Sequence, residues 1–157
     1  MSRYPDPKSV RVEQFDSEEQ PDLFALCREI RQEVFVVEQN VSPDLEWDGQ
    51  DSKAIQFVAW LEDGDEHRAV GTARLRLFDD YAKAERVAVS SVARRHRVGS
   101  HLMRALEQAA RQNKRRTIQL NAQLSALPFY EHLGYTAHGP VFVEAEIDHR
   151  AMMLRLA

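Results

Sequence analysis

Residues 81–122 constrain the fold more than any other part of this chain. They read YAKAERVAVS, then SVARRHRVGS, then HLMRALEQAARQNKRR, then TIQLNA. The first piece has the composition and alternation of a strand. From the end of the second piece through the third, Val98, Leu102, Leu106 and Ala109 share one face of a helix over about residues 98–112. TIQLNA is a second short strand. Two strands joined through a helix lie parallel, because a hairpin would need only a tight turn.

The remaining segments build around that unit. VRVEQF (residues 10–15) reads as a strand, and PDLFALCREIRQEVFVVEQ carries Leu23, Leu26, Cys27, Ile30, Val34 and Val37 near helical spacing, with Pro21 in the first turn. NVSPDLEWDGQDS is a long polar loop of the kind that carries function. AIQFVAWLE and AVGTARLRLF are strands joined by the turn DGDEHR. After TIQLNA comes SALPFYEHLGY, a short helix stopped near Gly134. TAHGPVFVEAE and HRAMMLRL then form an antiparallel pair. The order is an α/β domain with a mixed sheet of about seven strands flanked by helices. With 157 residues, 43% of them hydrophobic, the chain suits one domain over residues 10–157, with residues 1–9 a loose lead-in.

Charge and composition narrow the function. A net charge of -4 leaves no basic excess for a nucleic-acid partner. Cys27 is the single cysteine, so no internal disulfide or thiolate cluster forms, and its apolar neighbours predict a buried core thiol. The histidines lack ligand spacing, so no metal is expected. No signal peptide or membrane span is apparent, so a cytoplasmic protein is the expectation.

ARRHRVGS concentrates positive charge at the one end of a helix that is already positive. Cations there do not stabilise the helix. The unpaired N–H groups of the first turn, the close approach Gly99 permits, the Ser100 hydroxyl and Arg94, Arg95 and Arg97 together suit a polyanion, most simply a pyrophosphate. A solvated basic turn is the other reading of the segment alone.

This segment resembles the acetyl-CoA-binding signature of the GNAT superfamily of N-acetyltransferases, R/Q-x-x-G-x-G/A after a strand ending Val-x-Val. Arg94 matches its first position and Gly99 its last, while Arg97 replaces the middle glycine. LNAQLSALPFYEHLGY is similar to the family's second signature, with Gln123 where many members have asparagine. IRQEVFVVEQNV, GTARLRL, NAQ and HRAMML resemble the ElaA/YjcF-like branch.

The resemblance implies a fourth and a fifth strand that splay apart to admit acetyl-CoA as cosubstrate. Val87, Ala88 and Val89 would meet its pantetheine arm, with the Val89 N–H facing the thioester oxygen. Arg94, Arg95, His96, Arg97, Val98, Gly99 and Ser100 would hold the pyrophosphate, and Asn121, Gln123 and Tyr130 would complete the coenzyme site. Tyr130 would be the general acid toward the leaving thiolate. The implied activity is transfer of an acetyl group to a primary amine, through direct attack and a tetrahedral intermediate. Glu85, placed by alternation on the face of Val87 and Val89, and His149 are candidate bases.

Glu46, Asp48 and Asp51, with Arg31 and Arg74, resemble an E-x-D-x-x-D motif of the acyl-homoserine-lactone synthases, which share the fold. They predict an ionic network fixing the long loop, and Arg31, Glu46, Asp48 and Arg74 as acceptor-binding residues. Lys83, where those synthases have glutamate, argues against that activity. A sensor or interaction module that binds acetyl-CoA without turnover is a further alternative. The acceptor would be a small-molecule amine or a peptide or protein amine, and a homodimer stays open.

Overall fold

β4 (Tyr81–Val89) and β5 (Thr117–Gln123) run parallel but pair only over Tyr81–Lys83 against Thr117–Gln119, and beyond that point they part. The computed structural model describes residues 9–156. Of the expected lead-in, all but Ser9 lies outside the described residues, and Ser9 already belongs to β1 (Ser9–Phe15). β2 (Ile55–Asp63) and β3 (Glu66–Leu77) complete one half of the sheet, and β6 (Thr136–Glu144) and β7 (Ile147–Arg155) the other. The seven strands take the order β1-β2-β3-β4-β5-β7-β6, antiparallel except for β4 and β5.

Helices cover both faces. α3 (Val98–Gln112) buries Val98, Leu102, Met103, Leu106, Ala109 and Ala110, the apolar stripe its sequence period dictates. Fully burying a leucine such as Leu102 contributes about 2 kcal/mol. The helix lies close because β3 offers Gly71: a Cβ there would sit 2.7 Å from Val98 Cγ1. α4 (Leu127–His132) packs Tyr130 into the same core. On the other face α1 (Pro21–Arg31) buries Cys27 and Ile30. Burial pushes the Cys27 thiol up to about 11, so it is an inert core group.

α1 does not continue as one regular helix. Gln32–Glu38 is π-helical, and α2 (Pro43–Glu46) is a short turn within the long loop. The wider π turns shift the helical phase, so Val34 is buried whereas Val37, expected on the apolar face, is 66% exposed.

A second correction concerns β4. Arg86 adopts a left-handed φ of 57°, and the register slips there: Arg74 faces Glu85, while Thr72 faces Ala88 and Gly71 faces Val89. This is a β-bulge, and it reverses the alternation. Val87 and Val89 therefore pack toward the α3 core, and Ala88 packs with Ile30 and Val34 on the α1 face. Glu85, opposite Arg74, lies on the α1 face and not with Val87 and Val89.

Candidate active site

Where β4 and β5 part, openings form on both faces of the sheet. On the α3 face a groove of about 460 Å³ runs over Arg94, Arg95, Arg97, Val98, Gly99 and Ser100 to Phe129. On the α1 face a cavity of about 380 Å³ is walled by Phe35, Gln39 and Val41 from the π-helical side, by β4 from Lys83 to Val87, and by Asn121 and Gln123 of β5. Val87, Ala126 and Tyr130 line both openings, so they form the seam where the two meet.

Parting of the strands frees backbone groups along β4. Ser90 N–H donates to Val70 O at 2.7 Å, so Ser90 faces β3 and strand alternation turns Val89 toward the gap. Arg94 Nε indeed reaches Val89 O there, at 3.2 Å. Ala88 lines neither opening, nor does His96, so these two expected coenzyme contacts are not brought to the cleft.

Arg97 is the N-cap of α3 with φ 58° and ψ 29°. The arginine thus takes a left-handed backbone of the kind glycine adopts without strain, and the first-turn N–H groups point toward the groove end. Gly99 has a packing reason as well, since a Cβ would meet the Phe129 ring at 3.0 Å. Arg94 is committed elsewhere: its guanidinium pairs with Glu38 at the end of the π-helical turn.

Tyr130 is buried, and burial alone lifts its phenol to about 12. It is therefore a proton donor throughout the physiological range. Among the described residues no group accepts a hydrogen bond from it, and it stands at the seam. His149 lines the cavity on β7, opposite Gln123 of β5. Its Nδ1 lies 2.7 Å from Ile147 O, so in the neutral ring Nδ1 carries the proton and Nε2 is the acceptor. The ring also stacks on Phe142. Glu85 lines the same cavity, but its oxygens lie 3.2 Å from Arg74, 3.5 Å from Arg76 and 3.6 Å from Lys83.

The acidic loop folds onto a buried ionic network. Arg31 Nε meets Glu46 Oε1 and Arg31 Nη1 meets Asp51 Oδ1, each at 2.6 Å. Arg74 grips both oxygens of Asp48, at 2.7 and 3.0 Å, and reaches Asp51 at 3.2 Å. Arg86 Nε lies 2.9 Å from Glu46 Oε2 off the hydrogen-bond axis, an ion pair only. Burial raises the Glu46 carboxyl in spite of Arg31 and Arg86. Asp48 and Asp51 feel burial pushing upward too, yet hydrogen bonds from Arg74 and Arg31 respectively, with the nearby positive charge, bring both below the ordinary range. The network fixes the loop as the sequence predicts. Arg31 and Arg74, expected to touch the acceptor, are 1% and 0% exposed and line neither opening. Glu46 and Asp48 do line the cavity, with their charges already matched.

Several cavity residues were not foreseen. Phe35, Gln39 and Val41 arrive through the π-helical turn, and Gln39 accepts a hydrogen bond from Gln123 Nε2 at 2.8 Å. Glu144, Ala145 and Ile147 come from the β6–β7 turn. The stretch VEAEI (residues 143–147) gives no turn signal that singles them out.

Likeness to known proteins agrees with this geometry. A family model described as "Acetyltransferase (GNAT) domain" matches residues 18–156. The uncharacterized N-acetyltransferase YjcF of Bacillus subtilis is 38% identical over 125 residues, 79% of this chain and 86% of that protein. A solved chain from Lactobacillus plantarum superposes with a TM-score of 0.83 at 26% identity, covering 95% of this chain and 99% of the other. ElaA of Escherichia coli superposes with a TM-score of 0.74 at 29% identity, covering 91% and 98%. With the strands parted between β4 and β5 and both signatures in order, this chain belongs to the GNAT acetyltransferases, on the branch that holds ElaA and YjcF.

Proposed function

We propose that the chain moves an acetyl group from acetyl-CoA to a primary amine, with the coenzyme in the basic groove and the amine in the opposite cavity. One observation carries this reading. The two openings lie on opposite faces of the sheet and share Val87, Ala126 and Tyr130, so two substrates entering separately meet at one point.

The residues then divide the work. Arg95, Arg97 and the first turn of α3 hold the pyrophosphate. Val89 N–H donates to the thioester oxygen as charge grows there, a contribution of about 3 kcal/mol in a dry site. The neutral amine attacks the carbonyl carbon, a C–N bond forms and the C–S bond breaks. Tyr130 gives its proton to the departing thiolate, and His149 Nε2 takes the proton from the amine. Glu85 is tied to three cations and acts here as an anchor of the cavity wall.

Release of free thiol from acetyl-CoA across a panel of amines tests this. Tyr130→Phe should lower kcat by about a hundredfold, the lower end of general acid–base contributions, and His149→Ala should lower it comparably. Coenzyme binding with no turnover on any amine would point to a sensor instead. A lactone made from an acyl donor and S-adenosylmethionine would point to a synthase.

A further inference from the structure

The cavity on the α1 face is lined by four carboxylates, Glu46, Asp48, Glu85 and Glu144. Three are matched: Glu46 by Arg31 and Arg86, Asp48 by Arg74 and Arg86, Glu85 by Arg74, Arg76 and Lys83. The two cations in the wall, Lys83 and Arg86, are thereby engaged as well. Glu144 alone has neither an ion pair nor a side-chain hydrogen bond among the described residues, and it is exposed.

Its setting is unusual. Glu144 pairs with Ile147 across a two-residue turn formed by Ala145 and Glu146, whose φ angles are 52° and 64°. Both central residues of such a turn need positive φ, which Asn-Gly supplies without strain and Ala-Glu does not. Strained backbone of this kind persists where its geometry has a use. Here it sets Glu144, Ala145 and Ile147 in the cavity wall, two strand residues from His149.

We infer that Glu144 is a specificity residue and that the acceptor carries a second positive charge beside the amine that reacts. The inference rests on the acetyl-transfer reading above. A nitrogen that attacks must be neutral, so the carboxylate does not serve that atom. It suits a distant ammonium on the same molecule, as in an alkyl diamine. Ile147 and Phe35 supply apolar wall for the alkyl chain between the two nitrogens.

Two measurements decide it. The first compares kcat/KM for 1,6-diaminohexane with that for hexylamine, in the wild type and in Glu144→Gln. The wild type should favour the diamine about fivefold, the scale of an exposed ion pair. Glu144→Gln should cut the preference, through KM, to the statistical advantage of two equivalent amines, and Glu144→Lys should lower it further. Equal use of both amines by the wild type, or an unchanged ratio in Glu144→Gln, overturns the inference. The second measurement is calorimetric binding of 1,6-diaminohexane to the coenzyme A complex. Binding that weakens about fivefold in Glu144→Gln while no amine is acetylated would uphold the cation site and reject acetyl transfer. Diamine binding that is indifferent to Glu144 would reject the cation site whatever the turnover.

Discussion

Arg94 and Glu38 form an ion pair that joins the rim of the basic groove to the end of the π-helical turn. Arg94 is the residue that the family signature assigns to the pyrophosphate, yet its guanidinium already has an anion. In the proposed coenzyme complex, phosphate at Arg94 would compete with Glu38. The turn in question also carries Phe35 and leads into Gln39, both in the wall of the opposite cavity. Glu38→Gln should release Arg94 and tighten coenzyme A binding two- to fivefold, as loss of a half-exposed competing pair allows. Calorimetry reads this directly, and weaker binding in Glu38→Gln would contradict the competition.

Arg97 bears the cost of a left-handed backbone at the cap of α3. For a residue with a Cβ that conformation costs about 1–2 kcal/mol, and glycine escapes it. Arg97→Gly should accordingly stabilise the protein by about 1 kcal/mol in urea unfolding, after allowance for the looser unfolded chain. The same variant removes a cation from the groove, so its coenzyme affinity should fall as stability rises. A variant less stable than the wild type would mean that the Arg97 side chain makes contacts worth more than the strain.

The sequence announces the elements through local patterns and loses track where one residue changes the phase. Parallel pairing of β4 and β5 follows from a helix lying between two strands. The α3 stripe from Val98 to Ala110 is plain at helical period. Strict alternation places Glu85 on the face of Val87 and Val89, and Arg86 gives no local sign of the bulge that reverses it. A helical period places Val37 in the core, and the π turns abandon that period. For the site, both signature segments were readable, since each is contiguous. The cavity wall was not: Gln39 meets Gln123 across 84 positions of chain. The tip of β6–β7 is built from Ala145 and Glu146, which do not resemble a turn.

Gly71 offers a test of how closely α3 must approach the sheet. An added Cβ would lie 2.7 Å from Val98 Cγ1 and 3.1 Å from Leu102 Cδ1. Val98 is β-branched and cannot swing clear without shifting the first turn of α3. Gly71→Ala should destabilise by about 1–3 kcal/mol, the range for overpacking a filled core. It should also weaken coenzyme binding, because the displaced turn is the one beneath the groove. Stability lost with coenzyme affinity intact would show that the strain is absorbed on the β3 side.

The Arg31–Glu46–Asp51 group makes a prediction in which pH fixes the sign. Arg31 is 1% exposed and Glu46 2%. Arg31→Met should cost about 3–5 kcal/mol at pH 7.5, because it leaves a buried carboxylate short of a partner. Glu46 already has its folded pKa raised by burial, and losing Arg31 must raise it further. A carboxyl raised above its unfolded value contributes stability that is present at low pH and lost as pH rises through the folded value. Acidification should therefore favour protonation of Glu46 in the variant and recover part of the loss. Asp48 and Asp51 behave oppositely in the wild type: their pKa values are depressed, so their contribution holds above the unfolded value near 3.9 and fades only below it. Between pH 7.5 and 5 the wild type thus keeps its aspartate network while the variant regains stability, and the gap in urea unfolding should narrow. A gap that is the same at both values would mean that water, and not a buried charge, fills the space left by Arg31.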